Sequence, residues 1–168
     1  MKENLNPIQL HGFTYPESMD DESVPSGVRF DFERAHRAFG SNDLDSIFKG
    51  HDKTTAPWPR AGRTKTTPLY DQARVDEALR QPPRLEDVDP RNLHSTQPSV
   101  VRHHAAFYFD QPDYRLSGTT SADQNNVGNQ YPTVYRDRRG RNLLLTGHHR
   151  ATVDLVRGRM LRARMINE

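Results

Sequence analysis

Residues 132–166 read PTVYRDRRGRNLLLTGHHRATVDLVRGRMLRARMI, and the pattern in this stretch decides the fold expected of the chain. Thr133, Val134 and Tyr135 are β-branched or aromatic, as a short strand requires. Asp137-Arg138-Arg139-Gly140 carries the residues of a tight connection, and Asn142 to Thr146 returns as an apolar strand. Gly147 breaks that strand. Ala151, Val153, Leu155 and Val156 follow at helical spacing until Gly158 ends the helix, and Met160 to Ile166 alternates as a final strand. The expected unit is strand, tight turn, strand, helix, strand.

Chemistry is expected where the second strand meets the helix. A glycine there lets the backbone reverse sharply, and the first N–H groups of the following helix lack intrahelical partners. Those donors and the helix dipole favour an anion, while Arg150 in the first turn adds a full charge with forked geometry. His148 and His149 supply imidazoles that donate hydrogen bonds or act as general acid or base, His149 being the first candidate for catalysis. The competing reading is a pair of histidines capping a structural turn. A metal site is not expected, because adjacent histidines on a helix point apart and no spaced cluster of ligands completes a shell.

Working outward, Leu85 to Val88 is a strand candidate, followed by a turn at Asp89-Pro90-Arg91-Asn92. Thr96 is expected to cap a helix with Pro98 in its first turn and Val100, Val101, His104, Ala105 and Tyr108 along it. Gln111 to Gln130 reads as a long polar loop, whose Asp113 and Asp123 are candidate carboxylates for metal-assisted cleavage against the plainer reading of loop solubility. Further upstream, Asp71 to Gln81 has helical spacing and ends at Pro82-Pro83, whereas the proline-rich run His51 to Pro68 reads as a basic linker. Val28 to Phe39 and Leu44 to Phe48 suggest a small helical pair separated by Gly40, and residues 1–27 read as an arm without its own core. The division expected is an extension over residues 1–84 and a domain over 85–168. The fold class expected is α/β in the α+β sense: a small mixed sheet with a helical, partly extended N-terminal extension.

Only 33% of the 168 residues are hydrophobic, which predicts a compact part and a poorly packed part rather than one even core. The formal charge is only +2, but it is unevenly placed. Residues 1–50 hold five bases against nine acids, whereas residues 136–168 hold nine arginines against three acids. The positive field therefore sits on the C-terminal unit, where Arg157, Arg159, Arg162 and Arg164 suit either a polyanion or an exposed edge strand that resists aggregation. The chain has no cysteine, so disulfides, thiolate metal sites and cysteine nucleophiles are excluded. No apolar run reaches membrane-spanning length and no secretory signal is legible at Met1 to Leu10, so a cytoplasmic protein with no membrane partner is expected.

Gly128-Asn129-Gln130-Tyr131-Pro132-Thr133-Val134, together with Leu143-Leu144-Leu145-Thr146-Gly147-His148-His149-Arg150-Ala151, resembles the ParB N-terminal and sulfiredoxin-like superfamily. There a glycine-rich box leads into Pro-x-Val and a strand enters Gly-x-x-Arg at a helix start; Val88-Asp89-Pro90 and Thr96-Gln97-Pro98 resemble its opening strand and Gln-Pro. The resemblance covers about residues 85–166 and implies a nucleoside triphosphate, CTP or ATP, as cofactor, with the need for Mg²⁺ left open. It implies that Gly147, His148, His149 and Arg150 hold the phosphates while Gly128, Gln130 and Pro132 flank base or sugar. Nuclease or nucleotide hydrolase activity, DNA binding, and a homodimer or protein partner docked through the extension are the associated expectations. His148 stands where the sulfiredoxin pattern has its cysteine, which rules out sulfinic acid reduction, and Thr146 replaces an aspartate common before the glycine, which counts against kinase transfer. The helix-turn-helix module of full partition proteins is not represented, so a sliding DNA clamp is not expected.

Overall fold

In the computed structural model, which describes residues 35, 37–61, 69–110 and 131–168, the C-terminal stretch folds as the strand, turn, strand, helix, strand unit that its pattern predicts. The elements in chain order are helix α1 (Asp45–Phe48), strand β1 (Lys53–Thr55), helix α2 (Gln72–Arg80), strand β2 (Leu85–Val88), a 3-10 turn (Pro90–Asn92), strands β3 (Leu93–Ser95) and β4 (Ser99–Val101), helix α3 (Arg102–Phe109), strands β5 (Thr133–Arg136) and β6 (Asn142–Thr146), helix α4 (His148–Arg157) and strand β7 (Leu161–Asn167). The arm at residues 1–27, most of the helix expected over Val28 to Phe39, and the loop Gln111 to Gln130 with Asp113 and Asp123 lie outside the described residues.

Five strands form one mixed sheet in the order β2-β7-β5-β6-β3. β7 pairs antiparallel with β2 and parallel with β5, β5 pairs antiparallel with β6, and β6 pairs parallel with β3. The fold is α+β, as expected. Period-two alternation covers both faces of the sheet. Val134, Leu144, Leu161, Ala163 and Met165 enter the main core with Ala151, Leu155 and Val156 of α4, while Tyr135, Leu143 and Ile166 point the other way and pack with Val75 of α2. The turn between β5 and β6 is closed by Asp137, whose carboxylate accepts the N–H of Arg139 and of Arg141 and pairs with the Arg141 guanidinium at 2.7 Å.

Three expectations are corrected. The run His51 to Pro68 is not all linker: β1 pairs antiparallel with β4 in a separate two-stranded sheet. Trp58 is fully buried, its indole N–H donating to the Pro90 carbonyl at 2.6 Å, and Ser95 donates to Pro59 and accepts from Ala61, so this backbone extends the β3 edge. Secondly, Thr96 caps no helix. Its hydroxyl donates to the Leu144 carbonyl, Val100 and Val101 lie in β4, and α3 starts only at Arg102. Pairing with β1 supplies hydrogen bonds for residues 99–101 that a helix over this stretch would have provided internally.

Thirdly, β7 is an interior strand, so Arg162 and Arg164 do not guard an edge, and Arg157 and Arg159 lie outside the strand. Arg157 donates to the Phe109 carbonyl, Arg159 pairs with Asp154 at 2.9 Å, and Arg162 pairs with Asp87 on β2. Ile47, Phe48, Ala56 and Trp58 pack in the same cluster as Val88, Leu93, Leu144 and Leu155. No helix among the described residues is long and apolar enough to cross a membrane.

A linker tryptophan would tolerate removal. Trp58→Ala is expected instead to lower unfolding free energy by about 3–5 kcal/mol, because it empties a large buried volume and orphans the Pro90 carbonyl. Urea unfolding of the variant beside the parent checks this, and a loss within about 0.5 kcal/mol would return Trp58 to the surface.

Candidate functional site

The corner is made by a close approach of two backbones. Gly147 adopts φ +87°, and a Cβ placed on it would stand 2.7 Å from Pro132 Cβ and 2.9 Å from Pro132 Cα. Only glycine has both the left-handed conformation and the missing side chain that this contact needs. Pro132 precedes β5 and Gly147 follows β6, and the Thr133 N–H donates to the Thr146 hydroxyl at 3.2 Å to hold the two strand ends together. α4 begins at His148 with no side-chain cap at Gly147; Ala151 N–H is the first to bond back, to the Gly147 carbonyl at 2.8 Å. The backbone N–H groups of His148, His149 and Arg150 are thus the first-turn donors that have no intrahelical acceptor.

The side chains are placed less openly than the sequence suggests. His148 is 2% exposed and Arg150 is 3% exposed, whereas His149 is half-buried. The N–H of Thr96 donates to His148 Nε2 at 3.3 Å, and the N–H of Val101 donates to His149 Nε2 at 3.0 Å. Both imidazoles therefore act as acceptors at Nε2, which leaves the proton of the neutral ring on Nδ1. Burial lowers the His148 pKa to about 3, helped by His149 and Arg60, and burial lowers the His149 pKa to about 4, helped by His104 and His103. Near neutrality the two rings are uncharged hydrogen-bond acceptors. Trp58 packs edge-on against His148 with ring centroids 6.1 Å apart, and the Arg150 guanidinium carbon lies 5.7 Å from the centre of the Tyr108 ring.

The structure brings Pro132, Gly147, His148, His149 and Arg150 to one place; Gly128 and Gln130 lie outside the described residues. Sequence reasoning missed Arg60, which it assigned to a solvated linker. Arg60 is 6% exposed, forms a parallel bridge with Ser95 at the β3 edge, and its charge is felt at His148. The one local signal was its neighbour Trp58, a large aromatic that a polar linker has no use for. His103 and His104 are both exposed on α3, and the His104 ring stands 5.0 Å from that of His149.

A cavity of about 530 Å³ lies at the other end of the sheet, between the start of α2 and the β5–β6 turn. Its acids are engaged: Asp71 accepts the Arg74 N–H, Asp137 holds Arg141, and Glu168 accepts the Arg138 N–H. Among the described residues no group of three His, Asp or Glu side chains is placed to hold a metal ion. Compared with known protein families, curated proteins and solved structures, the chain matches none.

The Gly147 contact has a measurable consequence. Gly147→Ala must relieve both the backbone strain and the overlap with Pro132, an expected loss of roughly 2–5 kcal/mol. Gly140→Ala has a similar φ of +77° but nothing within 4 Å of the new methyl. It should cost only the conformational part, about 1–2 kcal/mol. Equal losses in chemical unfolding of the two variants would remove the Pro132 contact from the account.

Proposed function

We propose that the Gly147–Arg150 corner binds a phosphate group of a nucleotide or nucleic acid. The observation that carries this reading is an uncapped helix start with Arg150 in its first turn and the charge of the buried Arg60 acting on the neighbouring His148. Positive charge held away from water acts strongly on its surroundings, and the guanidinium fork matches phosphate oxygens in pairs. First-turn amides and the helix dipole add donors of the same sign. Resemblance to ParB N-terminal and sulfiredoxin-like domains supports the same residues through the Gly-x-x-Arg pattern. It points to CTP or ATP, with Mg²⁺ as a companion of the phosphates, and a DNA backbone is the polymeric form of the same ligand.

Binding ranks ahead of nuclease or nucleotide hydrolase activity. A neutral imidazole has one lone pair for a proton, and in His148 and His149 that lone pair already receives a backbone N–H. Neither ring has a free base to offer a water or hydroxyl while these bonds stand. Their role in this reading is to hold the wall of the corner in place.

Thermal unfolding with pyrophosphate, CTP, ATP or a short oligonucleotide, each with and without Mg²⁺, tests the proposal. Ligand at a hundredfold excess over Kd is expected to add about 2.7 kcal/mol, a shift of several degrees. Arg150→Lys and Arg60→Lys keep the charge but lose the fork, so each should unfold cooperatively yet lose most of the ligand shift. Absence of any shift at millimolar phosphate, or full shifts in both variants, would overturn the assignment. Phosphate release measured on the same samples separates a hydrolase from a binder.

A further inference from the structure

We propose that His148 and His149 form an acid-released clasp, which as neutral rings holds the Thr96–Val101 segment against the start of α4 and on taking up protons lets it go. The clasp does not depend on what the corner binds. It rests on two backbone-to-imidazole hydrogen bonds made by consecutive residues of one helix to the two ends of one short segment: Thr96 to His148 at 3.3 Å and Val101 to His149 at 3.0 Å. The segment between those ends contains Pro98, whose carbonyl accepts from Ala56, and β4, which pairs with β1. Opening the clasp therefore loosens the two-stranded sheet as well as the corner.

Protonation acts directly on these bonds. A charged imidazole carries N–H on both nitrogens, so it cannot accept, and the amide that faced it is left opposed to a donor. The surroundings are arranged against charging the rings. Arg60 and His149 act on His148, and His103 and His104 act on His149. The three rings His103, His104 and His149 form a ladder with successive centroids 4.2 Å and 5.0 Å apart. Arg150 lies on α4 itself, Tyr108 on α3 beneath it, and Arg162 and Arg164 on β7. The acids on elements around the helix are paired: Asp45 with Arg102, Asp89 with Arg91, and Asp154 with Arg159. Burial first, and then the like charge of neighbouring basic groups, hold both rings neutral, with the two exposed histidines on α3 adding to the effect at His149.

The sign of the pH dependence follows. Both folded pKa values lie below the free histidine value of 6.5, near 3 for His148 and near 4 for His149. With the clasp released the two rings therefore bind more protons than with it closed throughout this window. The clasp is fully effective above pH 6.5 and weakens as pH falls toward 4. His149 is half-buried and partly screened, so the opening equilibrium of its bond should rise roughly ten- to hundredfold between about pH 7 and 4.5.

Amide hydrogen exchange on the whole chain, expressed as protection relative to the unstructured rate at each pH, reads this out alongside imidazole nitrogen NMR. At neutral pH both rings are expected as the Nδ1–H form. The Thr96 and Val101 amides should lose protection in acid before those of Tyr135 and Leu143. His149→Gln supplies a carbonyl acceptor that does not titrate, so Val101 protection should become flat with pH. His103→Asn combined with His104→Asn, on exposed positions, should move the midpoint of Val101 release toward higher pH, because two repelling charges are gone. The clasp is overturned if either ring carries its proton on Nε2, if Thr96 and Val101 open only together with Tyr135 and Leu143, or if His149→Gln loses protection in acid as the parent does. Should His149→Gln fail to fold, the ring tautomers of the parent decide the matter alone.

Discussion

The site depends on the contact between Gly147 and Pro132, where two backbones approach more closely than any side chain allows. That contact fixes how β6 turns into α4, and the turn fixes which way the first residues of the helix face. His148 can reach Thr96 and His149 can reach Val101 only because the helix leaves the sheet at this angle. Residue 147 therefore constrains not one turn but the relation of three pieces of chain: the β5 start, the segment before α3, and the helix that joins them. The left-handed φ costs a glycine no strain, and the strands beside it are secured, β5 between β6 and β7 and β6 between β5 and β3.

Much of this was legible because it is written locally. β5, β6 and β7 alternate at period two, and both faces of the sheet are covered, so Tyr135 and Val134 could each be apolar without contradiction. Gly158 and Gly140, both at positive φ, mark the ends of α4 and of the β5–β6 turn for the same reason they did in sequence. What was not legible depends on partners far along the chain. β1 and β4 have three residues each, too few to show a period, and they exist because they pair with each other. The strand order, which moves β7 from an edge to the interior, is a property of the assembled sheet that no residue of β7 announces.

The candidate site divides in the same way. Gly147 to Arg150 could be singled out from the strand before and the helix after. Their burial could not, because the groups that cover them come from elsewhere: Trp58 and Arg60 from a proline-rich run, Thr96 and Val101 from a segment whose hydroxyls and proline imitate a helix cap. Thr96 misled because its hydroxyl is a good cap in isolation, yet in the fold it serves the Leu144 carbonyl, a parallel-sheet neighbour that the local sequence does not contain.

The burial also settles how the two kinds of basic residue at the corner divide their work. A histidine can shed its charge when taken from water, and here desolvation is the first cause of both lowered pKa values; the ring then becomes an acceptor suited to a backbone amide. An arginine cannot, since its guanidinium stays charged at any pH a protein survives. Near neutrality the two rings are therefore uncharged acceptors of structural hydrogen bonds, and those are the bonds that acid breaks. The opposite assignment, with both imidazoles charged, would add like charge to a poorly solvated corner and would deprive Thr96 and Val101 of their acceptors. Desolvation, like-charge repulsion and hydrogen-bond satisfaction all select the arrangement observed, with histidine as the clasp and arginine as the source of the field.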